Sequence, residues 1–342
     1  MIVIALFSCK KEEKIVQQPK LFTSVEIQTI FKDSLVSIRA LEIMDTDGFV
    51  FATSNGKVGL GLVNDNKIWV KYVSSHKQDS IVPNFRSVAF NGKSVFALSI
   101  ATPALLYKDG DLVYQEKHEK VFYDSMQFWN EMEGIAIGDP TNDCLSMLIT
   151  RDAGETWQKT ACVQLPEIKD GEAAFAASDT NITIIGDKVW IATGGKHSRI
   201  LYSNDKGKKW QVFETPIVQG LETTGMYSVN FYDDKNGFAI GGDYTQPNDS
   251  TANKINTIDG GKTWKIVGKN QSPGYRSCVQ YIPNSNAKSL VAIGFKGIDV
   301  TNNSGKTWQH LSDEGFYTIR FVNDSIAYAA GNGRVAKLRF QF

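Results

Sequence analysis

The stretch TRDAGETW, residues 150–157, returns as SNDKGKKW at 203–210, TIDGGKTW at 257–264 and TNNSGKTW at 301–308. Each copy sets Ser or Thr first, Asp or Asn two residues on, Gly two after that, and Trp three further. Those residue types describe a tight hairpin turn. The Asp or Asn side chain accepts hydrogen bonds from the turn's own amides, and Gly takes the positive φ that the reversal requires. Trp then covers the turn with a large apolar face. Asp152, Trp157, Asp205, Trp210, Asp259, Trp264, Asn303 and Trp308 are therefore assigned a structural role, at the rim and away from any site. Degenerate copies with the same apolar flanks precede them at VNDNKIWVKY (63–72) and YKDGDLVYQEK (107–117).

Working outward, a second repeat lies upstream of each turn: a strand start, period-2 alternation, a short turn, and an apolar strand ending near Gly. It is read at SIRALEI…GFVFATSNG, FRSVAF…SVFALSIA, YDSMQF…GIAIGDP, EAAFAAS…VWIATGG, YSVNFY…GFAIGGD, YRSCVQY…LVAIGFKG and YTIRFV…IAYAAGNG. Aligned starts fall at 39, 86, 124, 173, 227, 276 and 317, a period of roughly 40 to 50 residues, the length of one propeller blade. Alternating short strands with turns between them form a meander. The pattern predicts an all-β, seven-bladed propeller of four-stranded antiparallel blades. The last unit lacks an outer strand, and FTSVEIQTI (22–30) is expected to supply it and close the ring. Six blades with extra end strands is the alternative.

With these turns on such units, the chain resembles the BNR-type, or Asp-box, propellers of the YCF48 (photosystem II stability and assembly factor) group. It is most similar to the bacterial secreted or lipidated members. AIGDP (136–140), GEAAFAAS (171–178), ATGGKHSR (192–199) and AIGGDYTQP (239–247) carry the resemblance, which spans nearly all of 22–340. The resemblance implies an assembly-factor-like binding propeller; the photosynthetic role is not carried across. Sialidases share the box, but their Phe/Tyr-Arg-Ile-Pro motif is absent, and the nearest match is SIRA (37–40).

Strand order in a blade brings the starts of the first strands and the ends of the second strands together at one mouth of the central channel. The first strands contribute Arg39, Arg86, Asp124, Glu172, Tyr227 and Arg276, and the second-strand ends contribute Asp139, His197, Asp243, Tyr244 and Lys296. Guanidinium groups bind carboxylate and phosphate bidentately, so Arg39, Arg86 and Arg276, with His197, Asp243 and Tyr244, are the candidate ligand-binding residues. Tyr227, Glu172, Asp124 and Asp139 are the candidate catalytic set of an alternative reading, a sialidase-like glycoside hydrolase acting on an acidic sugar. Pairing of these charges across the channel is the bland reading.

The N-terminus opens MIVIALFSC, whose apolar run is too short to cross a membrane. Leu6, Ser8 and Cys9 resemble a lipoprotein cleavage site, with residues 1–8 a signal remnant, Cys9 lipidated, 9–20 a tether, and 21–342 the propeller domain. This implies the bacterial cell envelope, periplasmic or outer surface, with membrane contact only through the lipid. Cys144 and Cys162 flank the turn at 150–157; a cross-strand disulfide and two buried thiols are both open. The remaining sulfur is Cys278.

Across 342 residues Lys+Arg and Asp+Glu each number 37, so bulk charge gives no grip on nucleic acid. The histidines are scattered without ligand spacing, no CxxC occurs, and no GxGxxG opens a helix, so no metal and no cofactor is expected. The reading is a non-catalytic, monomeric binding propeller whose polar mouth takes a protein, a peptide or an acidic glycan.

Overall fold

The structure is a computed structural model that describes residues 21–45, 48–64, 67–76 and 80–342. Cys9 and the tether lie outside the described residues. Among the described residues the chain is all-β, built from antiparallel sheets, four of four strands and two extended to six by the joined chain ends and by Glu172–Ala173 with Gly194–Gly195, with a single 3-10 turn at Cys162–Gln164. In chain order, the second sheet comprises Phe85–Phe90, Val95–Ser99, Ala104–Lys108 and Asp111–Glu116. The third comprises Tyr123–Phe128, Gly134–Gly138, Ser146–Thr150 and Gln158–Lys159. The fourth holds Ile182–Ile185, Lys188–Ala192, Arg199–Ser203 and Gln211–Glu214. The fifth holds Thr224–Phe231, Gly237–Asp243, Lys254–Thr257 and Lys265–Ile266, and the sixth Cys278–Tyr281, Leu290–Gly294, Gly297–Thr301 and Gln309–Ser312.

The two ends of the chain meet in one sheet. The long strand Ser24–Asp45 changes register between Lys32 and Ser37. Its first half pairs with the end of Ile326–Gln341, Ser24 opposite Gln341, and its second half pairs with Gly48–Thr53. Gly48–Thr53, Lys57–Asn64 and Lys67–Ser75 continue from that second half as the first sheet. On the other side Thr318–Phe321 pairs with Ile326–Gln341 to make the last.

One element differs from the sequence reading. EAAFAAS was expected to be the fourth inner strand, with Glu172 at its start, but the inner strand is Ile182–Ile185. Glu172–Ala173 instead pairs with Gly194–Gly195, and residues 174–181 run across the inner strands of the other sheets. The alternation of Ala and Phe imitates a strand, yet the polar run Ser178–Asn181 is almost fully buried, with Ser178, Asp179 and Thr180 hydrogen-bonded to neighbouring sheets rather than solvated.

The core consists of apolar clusters between adjacent sheets, and the repeated turns close several of them. In TRDAGETW the Thr150 hydroxyl donates to Asp152 Oδ1 and accepts from the Gly154 amide. Asp152 Oδ1 accepts from the Thr156 amide at 3.0 Å, and Gly154 has φ +78°. Gly154 also needs to lack a side chain, because a Cβ would fall within 2.2 Å of the Phe96 ring. Trp157 drops into the cleft between the second and third sheets, edge-on to Phe128 at 5.7 Å and Phe96 at 6.2 Å. Trp264 meets Phe231 in the same manner, and Trp308 meets Phe238. Cys144 and Cys162 form a disulfide, resolving the two possibilities in favour of the bond. Trp157→Ala removes a buried aromatic wedge, and chemical denaturation is expected to show a loss of about 3–5 kcal/mol with the native circular-dichroism signature kept in buffer.

Candidate functional site

A cavity of about 680 Å³ opens where the sheets' first strands begin. Its floor is made by the segment 171–177 and two arginines. Arg39 donates from Nη1 to the Ala177 carbonyl at 3.0 Å and lies over the Tyr317 ring, 3.8 Å from its centroid. Arg86 donates from Nη1 to the Ala176 carbonyl at 3.1 Å. Neither guanidinium forms an ion pair among the described residues, and burial lowers both pKa values, that of Arg86 to about 10. Both still carry full charge at neutral pH, so each keeps donors for an incoming anion.

The wall is aromatic. Phe175 stacks on Tyr227 with centroids 4.1 Å apart and planes 9° apart. Tyr275 stands edge-on to Tyr227 at 4.8 Å and continues to Phe295 at 5.5 Å. Tyr244, half exposed, completes that side, and Phe122, Asp139 and Glu222 also line the cavity. The Asp139 carboxylate accepts the Ala174 amide at 3.0 Å, which pins the floor segment to the third sheet.

The other candidates are committed elsewhere. Arg276, expected beside the first two arginines, is off the cavity wall and buried against Asp299, Nε to Oδ2 at 2.7 Å. Glu172 lines the cavity but is saturated: Arg199 grips it through Nε and Nη2, and the Thr193 hydroxyl donates to it at 2.6 Å. Tyr227 donates its hydroxyl to the Thr223 carbonyl, and burial with the neighbouring Tyr275 raises its pKa, the reverse of what a nucleophile needs. His197 and Asp243 are not on the wall; Asp243 instead caps its own turn through Thr245. Asp124 is sealed beneath, with neither oxygen hydrogen-bonded. Burial and the nearby Asp139 carboxyl hold its pKa well above the ordinary value. Sequence reading passed over Phe175, Tyr275, Phe295 and Tyr317, because nothing in their spacing separates a cavity wall from a strand's apolar face.

No family profile and no curated protein matches the sequence. Solved structures do. A YCF48 bound to D1 peptide superposes with a TM-score of 0.63 at 13% identity, covering 95% of this chain and 99% of that one. YCF48 from Cyanidioschyzon merolae gives 0.66 at 10% identity over 93% and 99%. The WD40 propeller domain of Doa1 gives 0.61 at 11% identity over 92% and 97%. The fold is a β-propeller.

In this propeller the continuation of the floor segment is held by a second carboxyl, that of Asp179. Asp179 accepts from the Val88 amide at 2.9 Å and the Met126 amide at 3.3 Å, while its carbonyl accepts from Arg320. Burial pushes its pKa up to about 8, against the opposing pull of Arg320 and the amides, and burial likewise pushes Asp139 up to about 6. Both folded values exceed the unfolded ones, so the stabilisation is complete below the ordinary carboxylate range and is lost as pH rises through the folded pKa. Asp124, whose pKa is also raised by burial, adds to the same dependence. Thermal midpoints are therefore expected to climb as pH falls from about 8 towards 4, and Asp179→Asn is expected to make the upper part of that slope shallower.

Proposed function

We propose that the cavity binds a peptide or protein segment that presents a carboxylate to Arg39 and Arg86 and an apolar or aromatic side chain to the tyrosine wall. The observation that carries this reading is the pair of guanidinium groups without ion pairs in the floor of a cavity walled on one side by aromatic rings. Such a site orients a partner by charge and retains it by aromatic contact. That a structurally similar propeller, YCF48, is seen bound to D1 peptide supports a peptide rather than a sugar as occupant. An acidic glycan would use the same arginines. The hydrolase alternative loses its nucleophile, since Glu172 is held by Arg199 and Tyr227 is driven away from ionisation, which leaves Asp139 on the wall without a partner for that chemistry.

The repeated turns fit the Asp-box pattern, with the Asp or Asn holding the turn and the Trp filling an inter-sheet cleft. The propeller is read as seven-bladed and closed by residues 24–32. Contacts running from each inner strand to the next, and from Thr318–Phe321 back to Ser24–Asp45, support this count. Lipidation at Cys9 and residence at the bacterial envelope complete the proposal, in a role akin to an assembly or capture factor. The disulfide supports an oxidising compartment.

Calorimetry with short peptides ending in an aromatic residue and a free carboxylate tests the site. Arg39→Ala and Arg86→Ala are each expected to weaken binding about tenfold or more, the scale of a lost hydrogen bond to a charged group. Arg339→Ala, on a half-exposed outer position, is expected to leave binding unchanged. Unaltered affinity in both cavity variants, with the fold intact, would overturn the assignment.

A further inference from the structure

The clefts between consecutive sheets from the second to the sixth each receive a tryptophan from the turn of the later sheet: Trp157, Trp210, Trp264 and Trp308. The cleft between the first and second sheets receives none. In the second sheet the corresponding turn is a two-residue hairpin, Asp109–Gly110, with Lys108 opposite Asp111. The sequence YKDGDLVY has no Gly-x-x-Trp half, and its final Tyr114 faces the third sheet, packed with Tyr123 and Phe128. What remains at the turn end of this cleft is a cavity of about 280 Å³, walled by Met44, Val50, Leu60, Val95, Ala97 and Tyr107. The buried Tyr107 hydroxyl has no hydrogen-bond partner among the described residues.

The same face of the first sheet carries an indole that is not buried. Leu62 follows Leu60 by two residues and so shares its side of the strand, and Trp69 stands directly opposite Leu62 in the ladder. Trp69 is 65% exposed and Leu62 45%. Across the cleft Leu112, opposite Tyr107, is exposed as well. Lys71, opposite Leu60, supplies a charged rim. One surface thus presents an open cleft of the kind that indole rings fill elsewhere in this molecule, and beside it an indole without cover.

We propose that this face is the interface of a homodimer, in which Trp69 of each copy enters the cleft between the first and second sheets of the other. A surface holding both knob and hole satisfies the rule of a two-fold contact, where residue i meets j and j meets i. It also accounts for an apolar patch that a monomer would leave in water. The indole N–H and the orphan Tyr107 hydroxyl are brought to the same cleft by this docking.

Sedimentation velocity across a concentration series tests the interface on the intact chain. The wild type is expected to shift from monomer to dimer. Trp69→Ala and Leu62→Lys, both at exposed positions, are each expected to weaken association roughly thirtyfold, as truncation of a central aromatic anchor does. Trp69→Phe is expected to retain association. A wild type that stays monomeric up to its solubility limit would overturn the proposal, as would a dimer that tolerates both disruptive substitutions. A monomer whose thermal midpoint rises on adding free indole would give the cleft to a small aromatic ligand, and would overturn it too.

Discussion

Residues 174–181 are the constraint on which the rest of this propeller depends. The segment leaves the outer loops, crosses the channel and hydrogen-bonds the inner strands of nearly every sheet. Arg39 and Arg86 reach its carbonyls from the first and second sheets, and Asp179 takes amides from the second and third. Thr180 takes the Val229 amide from the fifth sheet. Ser178 donates to the Ser277 carbonyl beside the sixth sheet, and Arg320 closes from the last. Parallel inner strands leave their amides facing the channel, and an unsatisfied buried amide is costly. A polar segment laid through the axis satisfies them and at the same time makes a floor.

The floor decides what the mouth can do. Because backbone carbonyls, not carboxylates, meet Arg39 and Arg86, the guanidinium groups are positioned without being neutralised. Arg276 and Arg199 show the opposite outcome in the same neighbourhood, each matched to a buried carboxylate and lost to ligand chemistry. The aromatic wall follows from the same segment, since Phe175 rides on it and stacks on Tyr227. At the rim the logic is different: tryptophans wedge the clefts, and where the turn is too short to carry one, an apolar opening is left.

Much of the architecture was legible. Thr150, Asp152, Gly154 and Trp157 form a local unit whose hydrogen bonds lie within five residues, so their spacing reads directly as a turn. The strand meander was equally clear from period-2 alternation. The fourth inner strand was not, because GEAAFAAS has the composition of a strand and only the buried hydrogen bonds of Ser178, Asp179 and Thr180 reveal its true course. Of the three mouth arginines the sequence could not sort free from paired, since Asp299 lies 23 residues from Arg276, and Glu172 was equally offered as free because its partner Arg199 lies 27 residues away.

The features readable from the chain alone are local: the turns, the strand period, the balanced charge and the lack of metal-binding spacing. These rest on interactions between residues close in the chain, where spacing fixes geometry. The tertiary structure alone decided which charges are cancelled, which rings wall the cavity, that Cys144 meets Cys162, and which cleft stays open. Each of those depends on burial and on partners from different sheets, and the energy of a charge or a ring is set by that environment rather than by its own position in the chain.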